Sequence, residues 1–152
     1  MVHLIDLTDF NCEKRIIVGL FQGTKGNAVE ENEKISIVDA RKVINLLHVK
    51  LAAVKTLLTV KKLTRSVSEE FKFHLSPTNS IPESMKLYGD IDGPVYIVCF
   101  CQEMTVDQFK DYCLARYSEE LPDMSPDSDT IHKIYNASTE EGCLCNVACK
   151  GL

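Results

Sequence analysis

Two cysteine pairs, Cys99-x-Cys101 and Cys143-x-Cys145, are the residues of this chain best suited to metal chemistry. Four thiolates can complete the tetrahedral shell of a zinc ion, but common zinc sites separate paired cysteines by two to four residues. On a helix, moreover, residues two positions apart point about 200° apart. A Cys-rich zinc or thiol protein is therefore only an alternative hypothesis. We expect the seven cysteines to be mainly small apolar side chains in a reducing compartment.

Nucleophilic catalysis requires a base beside the nucleophile, and the histidines do not favour it. The four histidines, His3, His48, His74 and His132, fall in different predicted elements. No glycine-rich phosphate-binding motif of the P-loop or dinucleotide-binding type occurs. The sequence thus predicts no catalytic residue, no cofactor, no metal and no small-molecule substrate, which indicates a protein that is not an enzyme.

The run Gly23-Thr24-Lys25-Gly26 matches the GXXG loop with which KH domains hold a nucleic-acid backbone. Four residues are a weak motif, and a KH loop joins two helices, whereas this one follows a predicted strand. A surface turn is the simpler interpretation. A stand-alone RNA-binding module that uses this loop and a basic helix remains an alternative function.

A basic tract gives that alternative its second element. No acidic residue occurs from Lys42 to Arg65, and the lysines and arginine that follow Lys42 in this tract are Lys50, Lys55, Lys61, Lys62 and Arg65. The net charge of the chain is −5, which disfavours nonspecific nucleic-acid binding by the whole surface. A solvated helix face explains the tract most simply, but such a cluster is also suited to neutralising several phosphates.

Composition places the chain among globular proteins. Apolar residues make up 45% and charged residues 26%, and no apolar run approaches the ~20 residues of a membrane span. The first residues show no basic and apolar signal segment. We expect one domain over residues 1–152, located in the cytosol and nucleus, with no membrane partner.

Hydrophobic periodicity predicts an α+β fold: a mixed, mostly antiparallel sheet of about four to five strands flanked by helices. The predicted strands are 16–21, 35–38, 67–75 and 95–101, and the predicted helices are 39–63, 81–88 and 105–117. A loop at 121–128, a short helical or extended piece at 131–135 and a last helix from Ser138 complete the chain.

The stretch 65–89 is the most distinctive. Apolar Phe71, Phe73 and Leu75 alternate with polar side chains, which is the period of a half-buried strand. Ser80 is a suitable N-cap for the helix that follows, and Glu83 completes a capping box.

Within this stretch, the motif L-S-P-x-x-x-I-x-E-x-M-K-x-Y-G at residues 75–89 resembles the TPRKB family, the kinase-binding proteins that partner the p53-related atypical kinase. The resemblance extends over roughly residues 35–148 and includes Thr64-Arg65 and Lys133-Ile134-Tyr135. It implies a non-catalytic subunit of a KEOPS-like complex. Such a subunit binds and regulates the small atypical kinase and helps recruit tRNA for N6-threonylcarbamoyladenosine modification.

The resemblance also implies two sets of site residues. Kinase binding is expected at Ile81, Met85, Leu144, Val147 and Ala148, and binding of the tRNA 3′ end at Lys61, Lys62 and Arg65. A helix stripe is more often simply core, so the first set has a structural alternative. The last helix is short beside the family's, and we expect the smaller apolar area to weaken kinase binding.

Overall fold

A computed structural model describes residues 2–23, 34–61, 63–89, 93–119 and 128–150. Its sheet contains β1 (Val2–Asp6), β2 (Arg15–Gln22), β3 (Ile35–Asp39) and β4 (Pro94–Cys99) in the order β1-β2-β4-β3. Every neighbouring pair is antiparallel. Together with the helices below, this sheet confirms the predicted α+β class.

The helices cover both faces of the sheet. They are α1 (Leu46–Leu58), α2 (Val67–Leu75), α3 (Ile81–Leu87), α4 (Val106–Leu114), α5 (Ser128–Tyr135) and α6 (Glu140–Ala148). One face packs on α1 and α2, with Val18 and Phe71 in a shared core, while the other packs on α4 through Ile17 and Phe109. Since both faces are covered, β2 and β4 are apolar on both sides.

A third, smaller core joins α5 to α6. Ile131 and Tyr135 of α5 pack against Cys143 and Val147 of α6, and Ile44, which precedes α1, contacts this group. The two C-terminal helices are thereby attached beside α1. The predicted piece at 131–135 is helical and belongs to α5, whereas the predicted loop at 121–128 lies outside the described residues except for Ser128.

Residues 67–75 form a helix, so the predicted strand there is wrong. Ser66 caps α2 by accepting a hydrogen bond from the Glu69 amide at 3.2 Å. The sequence pattern misleads because both sides of this helix are covered, and even Glu70 and Lys72 are buried. Helical periodicity in hydrophobicity needs a solvent-facing side, which α2 largely lacks. The sheet takes its fourth strand from β1 instead, which the sequence analysis missed.

The long helix was also predicted with wrong ends. Asp39 caps a short 3-10 turn, Ala40–Lys42, and Val43 is extended, with φ −98° and ψ 131°. The α-helix begins only after Asn45, whose side chain accepts from the His48 amide at 2.9 Å, and it ends at Leu58. Helix α3, in contrast, begins after the predicted cap Ser80, and the helix predicted at 105–117 begins after Thr105, which caps it.

Candidate functional site

Helix α2 separates two surfaces that carry the predicted site residues. At its N-terminal end lie the described residues 59–61 and 63–66, which we call the basic loop. At its C-terminal end lie α3 and α6, whose predicted site residues we call the docking face: Ile81, Met85, Leu144, Val147 and Ala148.

The basic loop is fixed by a buried carboxylate. Glu70, fully buried in α2, accepts hydrogen bonds at Oε1 from the Leu63 amide, from the Thr64 amide at 2.8 Å and from the Thr64 hydroxyl at 3.2 Å. The Arg65 amide donates to Glu69 Oε2 at 3.4 Å. Consecutive amides of the loop are therefore bound to the side chains of the helix that follows it.

Two of the three predicted RNA-binding residues lie on this loop. Lys61 and Arg65 are exposed, and Lys62 falls outside the described residues. The same part of the chain exposes apolar groups, since Leu58 is 54%, Val60 101% and Leu63 64% accessible. Sequence reasoning missed these apolar residues, although the end of the helical spacing after Leu58 was a usable signal.

Lys55, in contrast, is turned away from the basic loop. Its Nζ donates to the carbonyl oxygens of Val147 at 3.1 Å and Ala148 at 2.9 Å. These are among the last carbonyls of α6, where a helix has no internal partners and favours a cation. Burial lowers the pKa of Lys55 below its usual value. The basic tract seen in the sequence is therefore divided, with Lys55 bound to α6 and Lys61 and Arg65 exposed.

Helix α3 is held in place through its buried Ser84, and it carries apolar side chains that are only half-buried. Ser84 is fully buried, and its Oγ lies 2.6 Å from Ser76 Oγ and 2.8 Å from the Ser80 carbonyl oxygen. Ile81 and Met85, one turn apart, are half-buried. Their remaining accessible surface is available for contact with another protein.

Helix α6 divides its predicted residues between core and surface. Val147 is only 1% exposed and packs on Tyr135 in the small α5–α6 core, so it offers a partner almost no surface and instead holds α6 in place. Leu144 is half-buried and Ala148 is exposed. The accessible part of the docking face on this helix therefore consists of Leu144 and Ala148.

Lys150 brings the two helices of the docking face to the same end of α2. Its Nζ contacts the Phe73 carbonyl oxygen and lies 3.0 Å from the Ser76 carbonyl oxygen and 3.3 Å from Ser76 Oγ. It also lies 3.9 Å from the centroid of the Phe73 ring. Burial, followed by repulsion from Lys55, lowers the pKa of Lys150 to about 8. Because Ser76 also binds Ser84, one residue links α3 to the end of α6.

Comparison with known proteins decides the family. Residues 21–151 match the family of kinase-binding protein CGI-121. The chain belongs to this CGI-121 (TPRKB) family. A search of curated proteins finds no match to the chain. The family match begins near the end of β2 and includes β3, β4 and α1 to α6, and with them both surfaces described above.

This CGI-121 family member does not bring its two C-x-C pairs together. Cys99 and Cys101 lie with Met104 under α4, whereas Cys143 lies in the α5–α6 core and Cys145 is exposed. Burial raises the pKa of Cys99, and that of Cys113 to about 12, which disfavours thiolates. Within the described ranges, no three His, Cys, Asp or Glu side chains gather closely enough to hold a metal ion.

The structure describes only part of the GXXG run that the sequence analysis considered as an RNA-binding loop. Of the Gly23 to Gly26 run, the described residues include Gly23 alone, whose amide donates to the Gly93 carbonyl oxygen at 2.8 Å. None of the helices in the described ranges is long and apolar enough to cross a bilayer.

Proposed function

We propose that this CGI-121 family protein is a non-catalytic subunit of a KEOPS-like complex. It binds and regulates the small p53-related atypical kinase and helps recruit tRNA for N6-threonylcarbamoyladenosine modification. The observation that carries the proposal is the match to a kinase-binding family over residues 21–151. The docking face is apolar, and polar contacts hold its helices in place. Such a surface is better suited to binding a protein than to catalysis.

Kinase binding takes place through the docking face. Ile81, Met85, Leu144 and Ala148 supply its accessible part, and Val147 supports α6 from the core. Apolar side chains that are half-buried in the free protein lose the rest of their accessible surface in an interface, and this removal from water stabilises the complex. Helices locked by Ser84 and Lys150 lose little conformational freedom on binding.

Titration calorimetry against the p53-related kinase tests this role. Met85→Glu places a charge in the desolvated interface and should abolish binding, with the far-UV spectrum and melting temperature retained. The matched control is Leu114→Glu, which introduces the same charge at an apolar residue that is 39% exposed on α4, the helix on the other face of the sheet. Equal binding by Met85→Glu and the native chain would disprove this docking face.

The basic loop supports the RNA part of the proposal. Lys61 and Arg65 are exposed on a fixed loop in a chain of net charge −5. A local cationic site on an acidic protein favours contact with phosphates in one place. Arg65→Glu should weaken tRNA binding and lower its salt dependence, with kinase affinity unchanged. An unaltered tRNA titration would remove the RNA role and leave the kinase role standing.

A stand-alone RNA-binding module remains the second candidate, favoured by the same exposed cations. It differs from the leading proposal in needing no kinase. Binding of tRNA without any measurable kinase affinity would favour it, whereas kinase binding that depends on Met85 would exclude it as the whole function.

A further inference from the structure

We propose that Glu70 is the positioning residue of the basic loop: its buried carboxylate holds the loop backbone at Leu63 and Thr64 in the conformation in which Lys61 and Arg65 face RNA phosphates. This inference rests on the proposed RNA role and adds to it a residue that never contacts RNA. It explains why a carboxylate is buried immediately behind a cationic surface.

Several donors converge on one oxygen of Glu70. Oε1 of Glu70 receives the amides of Leu63 and Thr64 and the hydroxyl of Thr64. The Thr64 hydroxyl also lies 3.1 Å from the Ser66 carbonyl oxygen, and the Glu70 amide donates to that same oxygen at 3.0 Å. The loop between Leu63 and Ser66 is therefore closed onto the first turn of α2 from several directions.

The buried charge of Glu70 is compensated by contacts with the basic loop. Glu70 is fully buried, and its other oxygen, Oε2, lies 3.0 Å from Nε2 of His74 one turn further along α2. Burying a carboxylate is costly unless it is well paired or hydrogen-bonded. Here the hydrogen bonds that offset the cost come from the backbone of the basic loop, so the loop conformation and the buried charge stabilise each other.

The basic loop exposes its side chains from a backbone that is held in place. Leu63 is 64% accessible although its amide is bound to Glu70, and Arg65 is exposed although its amide is bound to Glu69. The backbone is thus fixed while the side chains face solvent. A loop ordered before binding loses less conformational entropy when it meets its ligand, which raises affinity without any new contact.

The experiment compares Glu70→Gln with Glu70→Leu in the full chain, with an unmodified tRNA transcript as the probe. Glutamine keeps an oxygen acceptor for the loop donors, whereas leucine has similar size and removes it. We expect Glu70→Leu to bind tRNA about tenfold more weakly, with an unchanged salt slope because the phosphate contacts remain. Glu70→Gln should restore most of the affinity, and both variants should bind the kinase as the native chain does.

Hydrogen exchange of the Leu63 and Thr64 amides gives the independent readout. These amides should exchange much faster in Glu70→Leu than in the native chain, and nearly as slowly as native in Glu70→Gln. If Glu70→Leu does not fold, Thr64→Val tests the same anchor, since it removes only the hydroxyl, whose single proton is shared between Glu70 Oε1 and the Ser66 carbonyl oxygen. It should weaken tRNA binding in the same direction.

The outcomes separate this inference from the function on which it rests. Native-like tRNA affinity in a folded Glu70→Leu or Thr64→Val variant would overturn the positioning role while the RNA role stands. Unchanged amide exchange in Glu70→Leu would also overturn it. Absence of tRNA binding by the native chain would overturn the RNA role itself, and the positioning inference with it.

Discussion

The imidazole Nε2 of His48 lies 2.7 Å from the carbonyl oxygen of Leu75, in the buried contact between α1 and α2. The other ring nitrogen, Nδ1, accepts a hydrogen bond from the Ile44 amide at 3.1 Å. Since an amide can only donate, Nδ1 carries no proton and Nε2 must donate to Leu75. This neutral ring ties α1 to the last residue of α2, just before the segment that leads to α3.

We expect this contact to make the protein sensitive to mild acid. Burial lowers the pKa of His48 from 6.5 to about 4, with the Leu75 hydrogen bond opposing the shift. Between these values the unfolded chain binds a proton that the native state does not, so the free energy of unfolding falls as the pH falls. The loss through this window should reach about 3 kcal/mol, measured by urea unfolding at several pH values.

His48→Gln is the control for this acid sensitivity. It should be less stable than the native chain near neutral pH, yet its unfolding free energy should change less between pH 6.5 and about 4. Burial also lowers the pKa of His74, but that residue is present in both proteins and its contribution cancels. Parallel stability curves for the two proteins would contradict the assignment to His48.

Two buried tyrosines should differ in what they contribute to stability. Tyr135 donates to the Lys42 carbonyl oxygen at 2.5 Å, so Tyr88, 2.7 Å away, must donate to the Tyr135 oxygen. Tyr88→Phe removes one hydrogen bond and should cost about 1 kcal/mol. Tyr135→Phe leaves both Tyr88 and Lys42 without that partner and should cost about 2 kcal/mol. Urea unfolding of both variants tests this order, and a larger loss in Tyr88→Phe would refute it.

The elements that the sequence predicted well are those with local signals. Ser80 and Thr105 start α3 and α4 because side-chain capping is encoded within a few residues. Strands β2 and β4 are nearly continuous apolar runs, and β3 departs from one only at Ser36 and Asp39, as burial on both faces of a sheet favours. Such features depend little on the rest of the fold.

The elements predicted wrongly depend on contacts far along the chain. Alternation in Phe71 and Phe73 indicated a strand, but α2 is covered on one side by β3 and on others by α1 and α3. Glu70 binds Thr64 without any recognisable sequence motif. Lys150 contacts Ser76, which is distant in sequence. Spacing alone could therefore propose the site residues but not the polar contacts that hold them.

Gly19 in β2 should tolerate no side chain. A Cβ atom there would clash with Cε2 of Phe21 and would lie 3.1 Å from Cε1 of Phe109. Aromatic rings packed under α4 cannot move aside freely, so Gly19→Ala should lower the free energy of unfolding by about 1–3 kcal/mol. Gly89→Ala is the matched control, because its Cβ would meet only ordinary contacts from 3.4 Å outward. Equal melting temperatures for the two variants would contradict this close approach.

Lys55 should affect kinase binding rather than RNA binding, although it lies in the basic tract. Its ammonium group binds the Val147 and Ala148 carbonyl oxygens, which helps hold the end of α6. Lys55→Met keeps the apolar stem and removes both hydrogen bonds. The end of α6 should fray, and kinase affinity should fall by about fivefold, the effect of losing roughly 1 kcal/mol.

Lys61→Met is the matched control for this change, since it removes the same charge from the exposed basic loop. It should reduce the salt slope of tRNA binding and leave kinase affinity unchanged, whereas Lys55→Met should do the opposite. Calorimetry with the kinase and tRNA titrations at several salt concentrations separate the two residues. A reduced tRNA salt slope in Lys55→Met, with native kinase affinity, would show that Lys55 belongs to the RNA surface after all.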